Sequence, residues 1–201
     1  RSGVDWQQMD KEGGLCCGRP LLTAGRTAQA EALVRKNEEI ILGSGAGTLV
    51  VSCPICFRMF KENYNLPGVE VRHYSDFILE LIRDSRIEVE KGDVCYVFHD
   101  PCELGRGCGI YDEPRKLIAL SGCIAEAPMT RAESVCCGGS LGSLSLGFRQ
   151  REKLTRSALG NLYASGADAI ATACPLCKST FSRYSSRPVR DIAEIVNSQI
   201  K

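Results

Sequence analysis

The sequence predicts an α/β protein made of two tandem, pseudo-symmetric β-α-β repeats, with a mostly parallel sheet and cysteines at the carboxyl ends of strands. Cys-Cys-Gly at 16–18 precedes Cys-Pro-Ile-Cys at 53–56, and Cys-Cys-Gly at 136–138 precedes Cys-Pro-Leu-Cys at 174–177. The copies are displaced by 120 residues at the first motif and by 121 at the second. Apolar runs also alternate with helix-period segments, which is typical of parallel sheets.

The first repeat is expected to span residues 1–92 and to be incomplete on its amino-terminal side. Its predicted elements are a helix over about 27–42, a glycine-rich turn at 43–47, a strand at 48–52 and a helix from Cys56 to about Tyr64. The glycine-rich segment precedes a strand instead of opening a helix, so it indicates a helix stop and turn, not a phosphate-binding loop.

The second repeat is expected to span residues 93–201 and to be complete. Its apolar run at 94–98 predicts a buried strand that delivers Cys102 beyond its carboxyl end. The remaining predicted elements are a helix from Glu113, a helix over 149–164, a strand over 168–173 and a helix over 178–184. In parallel sheets the ligand crevice lies beyond the carboxyl ends of the strands, which is where both Cys-Pro-x-Cys motifs and Cys102 are expected.

Composition excludes several classes of protein. With 201 residues, 44% of them hydrophobic, the chain can build a core. A net charge of +1 without basic runs argues against a nucleic-acid partner. No apolar stretch is long enough to insert into a membrane, and no signal peptide is evident. We expect a cytoplasmic protein, or one held at a membrane only through a partner subunit. Because the chain opens without Met, we expect it to be a piece of a longer polypeptide.

Twelve cysteines in a chain with a core point to metal, cluster or redox chemistry more than to a disulfide scaffold. A helix amino terminus lowers the pKa of a thiol, and proline suits the first helical turn, so Cys-Pro-x-Cys predicts thiolate ligands. Adjacent cysteines such as Cys136 and Cys137 can converge on one site if the chain turns at Gly138. The same reasoning leaves a structural zinc site and a dithiol redox site open, although an adjacent Cys-Cys pair is unusual for zinc.

The two copies offer different ligand sets. The second offers five candidates: Cys102, Cys136, Cys137, Cys174 and Cys177. The first offers four: Cys16, Cys17, Cys53 and Cys56.

Other candidates carry weaker signals. Cys95 is expected to be a small buried hydrophobic side chain, while Cys108 and Cys123 have no assigned role. His99 is the candidate catalytic residue, because its position would let it hydrogen-bond a cluster or protonate a leaving thiolate. A packing or capping role is the alternative for His99, and a surface or capping role is expected for His73.

These motifs resemble the cysteine-rich CCG domain of heterodisulfide reductase catalytic subunits and of the iron–sulfur subunits of glycolate, lactate and glycerol-3-phosphate dehydrogenases. The resemblance rests on the five-cysteine pattern and on three short segments: His99-Asp100-Pro101-Cys102, Tyr111-Asp112-Glu113-Pro114 and Asp191-Ile192-Ala193-Glu194. It implies two tandem CCG repeats, with a noncubane [4Fe-4S] cluster on the five cysteines of the second. For the four cysteines of the first, it implies a second iron–sulfur cluster or zinc.

The resemblance also implies function. The first expectation is a redox protein of the heterodisulfide reductase type, which transfers electrons and reduces a disulfide between the repeats. The alternatives are the electron-transfer subunit of a flavin-dependent 2-hydroxy-acid or glycerol-3-phosphate dehydrogenase, and a zinc-stabilised interaction module. The expected partners are iron–sulfur or flavoprotein subunits and a small thiol, disulfide or electron carrier.

Overall fold

Each repeat folds into parallel strands joined by helices. The computed structural model describes residues 2–9, 11, 15–139 and 145–201. The first repeat contains the helices Arg19–Thr23 (α1), Thr27–Gly43 (α2), Pro54–Asn63 (α3) and Tyr74–Arg83 (α4), and the strands Thr48–Val51 (β1) and Glu70–His73 (β2).

The second repeat follows the same plan with more elements. Its strands are Cys95–His99 (β3), Cys123–Ala125 (β4), Ala169–Thr172 (β5) and Val189–Asp191 (β6). Its helices are Gly105–Cys108 (α5), Asp112–Ser121 (α6), Phe148–Tyr163 (α7), Pro175–Ser182 (α8) and Ile192–Ser198 (α9), with one 3-10 turn at Arg131–Glu133.

Two parallel sheets result, one with the order β1-β2 and the other with the order β4-β3-β5-β6. The predicted α/β class with tandem repeats and parallel sheet is confirmed. The strands β2 and β6 occupy the same place, since each follows the helix that begins at a Cys-Pro-x-Cys motif. The sequence analysis did not predict them, because strands of three or four residues with mixed polarity leave no clear alternation.

The core of the second repeat lies on both faces of its sheet. Successive side chains of a strand point to opposite faces. Val97 and Ile170 pack with α7 and Phe181 on one face, while Phe98 and Ala171 pack with α6 and α9 on the other. The central strands β3 and β5 are therefore buried on both sides, and they hold the residues that follow them in place.

The two repeats also contact each other. Helix α4 of the first packs against α6 of the second. A further contact between the repeats is a hydrogen bond of 2.9 Å that the hydroxyl of Tyr74 donates to Oδ1 of Asp191 on β6. The division at residues 92 and 93 stays a prediction. In the described part of the chain, no helix is both long and apolar enough to cross a bilayer.

Cys95 differs from its expected role. It is half-buried and forms a disulfide with Cys123, which stands opposite it in the register of β3 and β4. The prediction that Cys95 is a small buried hydrophobic side chain is therefore wrong, because sequence alone did not reveal β4 as a neighbour of β3. This disulfide lies at the amino ends of the strands, away from the Cys-Pro-x-Cys motifs.

Helix α7 offers a matched test of the packing. Leu159 is buried in the core, so Leu159→Ala is expected to lower the free energy of unfolding by about 2–5 kcal/mol. The neighbouring Gly160 has open space where a Cβ would lie, so Gly160→Ala is expected to raise it by about 0.5–1 kcal/mol. Urea unfolding followed by circular dichroism measures both. A destabilising Gly160→Ala would contradict the placement of this helix.

Candidate metal centre

Both Cys-Pro-x-Cys motifs lie where a strand ends and a helix begins. Cys53 and Cys174 are the residues that cap α3 and α8, and proline follows each of them in the first helical turn. The unpaired amides and the dipole of a helix amino terminus favour a thiolate there. The predicted location beyond the carboxyl ends of β1 and β5 agrees with the structure.

Each Cys-Cys-Gly motif makes a tight turn. Gly18 and Gly138 have positive φ angles, 91° and 79°, a conformation that favours glycine. At the second motif, the amide of Gly138 donates to the sulfur of Cys136 and that of Gly139 donates to the sulfur of Cys137, both at 3.4 Å. The turn therefore brings two adjacent cysteines to one place and directs backbone amides at their sulfur atoms.

Nine cysteines form one continuous row of thiols, which crosses from the first repeat to the second. In each neighbouring pair one thiol shifts the pKa of the other, and the Sγ atoms of Cys177 and Cys137 are 3.3 Å apart. The order is Cys16, Cys17, Cys56, Cys53, Cys174, Cys177, Cys137, Cys136 and Cys102. The structure thus unites all nine cysteines that the sequence analysis selected, and the contact of Cys53 with Cys174 joins the two sets.

One thiol in each repeat is prepared as an anion. Hydrogen bonds from Cys174 and Cys56 lower the pKa of Cys53 to about 2. Hydrogen bonds from Cys102 and Cys137 likewise lower the pKa of Cys136 to about 2. The pKa of Cys102 is raised well above its usual range, because it donates to Cys136 and is partly buried. Thiolates are the forms that bind metals, and the lowered pKa values of Cys53 and Cys136 favour a thiolate in each repeat.

The shape of the row indicates which kind of metal group fits. Within residues 2–9, 11, 15–139 and 145–201, no three His, Cys, Asp or Glu side chains converge as ligands of a single ion. An iron–sulfur cluster takes thiolate ligands that are spread over several iron atoms. The donor set is all thiol, and Cys137, Cys174 and Cys177 are buried. These residues fit an iron–sulfur cluster.

A buried ion pair holds the loop that carries Cys102. The guanidinium of Arg115 binds both carboxylate oxygens of Asp100, with N–O distances of 2.6 and 2.8 Å. The same carboxylate accepts hydrogen bonds from the amide of Arg131 and the hydroxyl of Thr130. Asp100 lies two residues before Cys102, so this network ties Cys102 to the loop that leads to Cys136.

Further hydrogen bonds join the loop that carries Cys102 to the loop that leads to Cys136. The hydroxyl of Ser134 donates to the carbonyl of Asp100, and Arg106 donates to the carbonyls of Ala132 and Ser134. In the sequence, Asp100 stands within the segment His99-Asp100-Pro101-Cys102, but no role was predicted for Asp100, Arg106 or Arg115. The sequence feature that could have indicated the ion pair is an acidic residue directly before Pro-Cys, together with an arginine on the next predicted helix.

His99 lies at the end of β3 beside this network. It is buried, its Nε2 atom is 3.2 Å from the carbonyl oxygen of Val135, and its ring packs edge-on against Phe181. Burial lowers its pKa to about 4, so the imidazole is neutral near pH 7. In this state it can donate a hydrogen bond to the carbonyl of Val135, the residue before Cys136, and this contact corresponds to the packing alternative. Its catalytic role stays a prediction.

His73 and Cys108 complete the comparison with expectation. His73 caps α4, as predicted, because its side chain accepts a hydrogen bond from the amide of Ser75. It is buried near the contact between the repeats, however, so the expected surface position is wrong. Cys108 lies on α5, outside the row of thiols, and burial raises its pKa.

The family profile described as a cysteine-rich domain, CCG, matches residues 3–61 and 96–182, which is more than half of the chain. The chain belongs to the CCG cysteine-rich domain family. One subunit of the dihydromethanophenazine:CoB–CoM heterodisulfide reductase of Methanosarcina acetivorans is 31% identical to this CCG chain over 176 residues, covering 81% of the chain and 42% of the relative.

Two further relatives of the CCG chain have other names. An uncharacterised iron–sulfur protein of Methanococcus maripaludis is 29% identical over 82% of the chain and 32% of its own length. EtfAB:quinone oxidoreductase of Syntrophomonas wolfei is 26% identical over 98% of the chain and 30% of its own length. The chain thus spans half or less of the length of these relatives. An aspartate racemase structure from Picrophilus torridus, 14% identical over 84% of the chain and 71% of its own length, has a TM-score of 0.43, a likeness too weak to bear on chemistry.

The ion pair of Asp100 with Arg115 makes a pH-dependent prediction. Burial acts to raise the pKa of Asp100, but hydrogen bonds from Arg115 and the Arg131 amide outweigh it and hold that pKa below the usual value. The ionised Asp100 therefore contributes to the free energy of unfolding above about pH 4, and this contribution is lost as the pH falls through its lowered pKa. Arg115→Met leaves the buried carboxylate without its counter-charge, and we expect a loss of about 3–5 kcal/mol at pH 7.

The loss should shrink toward about pH 4, because Asp100 then takes up a proton in the variant. Urea unfolding between pH 4 and pH 7.5 measures it. The matched control is Arg131→Met, which removes an exposed pair with Asp112 and a contact with the Tyr111 ring but keeps the backbone amide, so its cost should stay near about 1 kcal/mol or less. A cost of Arg115→Met that did not vary with pH would contradict this account.

Proposed function

We propose that this CCG chain is an iron–sulfur electron-transfer module of a multi-subunit reductase. The observation that carries the proposal is the continuous row of nine thiols across the two repeats, which supplies two adjacent ligand sets. Cys102, Cys136, Cys137, Cys174 and Cys177 would hold one cluster. Cys16, Cys17, Cys53 and Cys56 would hold a second group. An iron–sulfur cluster supplies one-electron chemistry, at a potential set by its surroundings.

Residues of the chain itself would form the surroundings of the cluster. Burial of Cys137, Cys174 and Cys177 excludes water from one side of the ligand set. The amides of Gly138 and Gly139 donate to cysteine sulfur, and hydrogen bonds of this kind tune the potential of iron–sulfur centres. The ion pair of Asp100 and Arg115 fixes the two loops that carry Cys102 and Cys136. Proximity of Cys53 to Cys174 gives electrons a short route between the repeats.

The finer proposal is a noncubane [4Fe-4S] cluster on the five cysteines of the second repeat and reduction of a disulfide where the repeats meet. Similarity to the heterodisulfide reductase supports it, as does the five-thiol set that ends in Cys102. In this proposal, a partner iron–sulfur or flavoprotein subunit supplies the electrons. His99 would keep the Cys136 loop in place as a neutral hydrogen-bond donor.

A second candidate is electron transfer alone, on behalf of a flavin-dependent dehydrogenase. The EtfAB:quinone oxidoreductase supports it, since its name describes passage of electrons to a quinone. The two candidates share the same ligands and differ in whether the chain acts on a disulfide. Turnover of a small disulfide with reduced chain as the sole electron source separates them.

The test of the shared proposal is the iron, acid-labile sulfide and zinc content of anaerobically purified chain, with its visible and electron paramagnetic resonance spectra. We expect about four iron and four sulfide for a cluster in the second repeat, and more if the first set is also occupied. The double variant Cys136→Ser with Cys137→Ser should lose that cluster, because it removes two of its five ligands.

The matched control is Cys108→Ser, which removes a half-buried cysteine outside the row and should keep the full iron content. Zinc without sulfide would overturn the electron-transfer proposal and favour the interaction module. Equal iron in all three proteins would overturn the ligand assignment.

A further inference from the structure

One pair of cysteines lies outside the row of nine thiols. Ten of the twelve cysteines are free, and the other two, Cys95 and Cys123, form a disulfide between the neighbouring strands β3 and β4. They are partners in the register of these strands, and their Cα atoms are 4.3 Å apart. The pair lies at the amino ends of the strands, whereas Cys102 follows the carboxyl end of β3. The proposed function leaves this disulfide without a role.

The backbone holds both cysteines of the pair in place. The amide of Cys95 donates a hydrogen bond of 2.9 Å to the carboxylate of Asp168, whose own amide donates to the carbonyl of Cys95. On β4, the amide of Cys123 donates to the carbonyl of Val94 at 3.1 Å. A Cβ at Gly122 would lie 2.7 Å from that carbonyl oxygen, so only glycine lets β4 approach β3 this closely. The strand pairing therefore keeps the two sulfur atoms close, which lets the bond form again after it has been broken.

The two cysteines differ in their exposure. Cys123 is exposed on β4, an edge strand of three residues, whereas Cys95 is half-buried on β3, which has a neighbour on each side. In the part of the chain that the structure describes, no strand covers the outer edge of β4. Thiol–disulfide exchange depends on which sulfur an incoming thiolate can reach, and exposed disulfides are typically the labile and regulatory ones. Where other thiols stay reduced, as ten do here, disulfides are usually transient.

Strand β4 also leads to the residues that position Cys102. Glu126 directly follows the strand, and its carboxylate accepts hydrogen bonds of 2.7 and 3.0 Å from the guanidinium of Arg115. Arg115 in turn binds Asp100, which stands two residues before Cys102. The disulfide fastens β4 at its amino end, three residues before Glu126. A series of direct contacts therefore runs from the disulfide to a cysteine of the candidate metal centre.

We propose that Cys95 and Cys123 form a reversible disulfide that a dithiol reduces, and that its reduction loosens the hold of Arg115 and Asp100 on Cys102. In the first step, a thiolate of the dithiol attacks the exposed sulfur of Cys123, and Cys95 leaves as a thiolate. In the second step, the other thiol of the dithiol attacks the mixed disulfide and releases Cys123. Two electrons and two protons pass to the chain, and the dithiol becomes a disulfide.

A low-molecular-weight disulfide reverses the reaction by the same two exchanges, so the pair responds to the ratio of thiol to disulfide around the chain. The exchange site stands on the position and exposure of Cys95 and Cys123. Its effect on a bound cluster rests on the proposed function, because Cys102 matters to the cluster only if it is a ligand.

Mass spectrometry of the alkylated, folded chain tests the exchange. After tryptic digestion, the disulfide joins the peptide of residues 92–106 to that of residues 117–131, and fragmentation distinguishes a bond at Cys95 from one at Cys102. We expect the bond at Cys95 in glutathione disulfide, its loss in dithiothreitol without denaturant, and its return when glutathione disulfide replaces the dithiol. A bond that resists dithiothreitol until the chain is unfolded would be structural. That result, or a bond at Cys95 that never forms, would overturn the proposal.

Hydrogen exchange tests the effect on the Cys102 loop, because the amide of Arg131 donates to the carboxylate of Asp100. In Cys123→Ser only non-covalent contacts hold β4, so we expect the amides of residues 123 and 131 to exchange at least about tenfold faster than in the oxidised chain. The reduced wild type should match this variant. The control Cys108→Ser keeps the disulfide and should match the oxidised chain. Equal exchange at Arg131 in all four proteins would overturn the proposed hold on Cys102.

Iron release separates this proposal from the proposed function. In iron-loaded chains, Cys123→Ser should lose iron to a chelator faster than Cys108→Ser, because the loop that carries Cys102 opens more often. Equal release from the two variants would overturn the effect on the metal centre. A chain that binds no iron but still forms and reduces the bond at Cys95 would overturn the proposed function and leave the exchange site standing.

Discussion

Nine sulfur atoms can act together only if the backbone brings them to one edge, and parallel strand pairing meets this requirement. Because the strands within each sheet run in the same direction, β3 and β5 deliver the residues that follow them to neighbouring positions, and the contact of Cys53 with Cys174 joins this edge to the end of β1. Helices α3 and α8 begin at these positions and point their amino termini at the thiols. The direction of the strands therefore places these cysteines, and the chemistry of their side chains acts only once they are in place.

Burying so many polar groups near that edge requires each to have a partner. The carboxylate of Asp100 is buried, and Arg115, Thr130 and the amide of Arg131 satisfy it. An unpaired carboxylate there would be strongly destabilising. The same contacts connect two loops that would otherwise be joined only through a long stretch of chain. Stability and ligand geometry therefore depend on the same residues in the second repeat.

The two repeats share a motif but not an environment. In the second, β3 and β4 extend the sheet, and Cys102 completes a five-thiol set. In the first, β1 is exposed along one edge and Cys16 is exposed as well. In the second repeat, the strand β3 enlarges the sheet, and the fifth cysteine, Cys102, follows it three residues later.

The sequence by itself determined the repeat, the α/β class and the positions of both Cys-Pro-x-Cys motifs at helix amino termini, since all of these follow from local spacing and periodicity. Helix α2 and strand β1 were predicted to within a residue or so for the same reason. Only the tertiary structure decided that Cys53 meets Cys174, that Arg115 binds Asp100, and that Cys95 stands opposite Cys123. These contacts join residues that are distant in sequence, and no local pattern encodes which strand lies beside which.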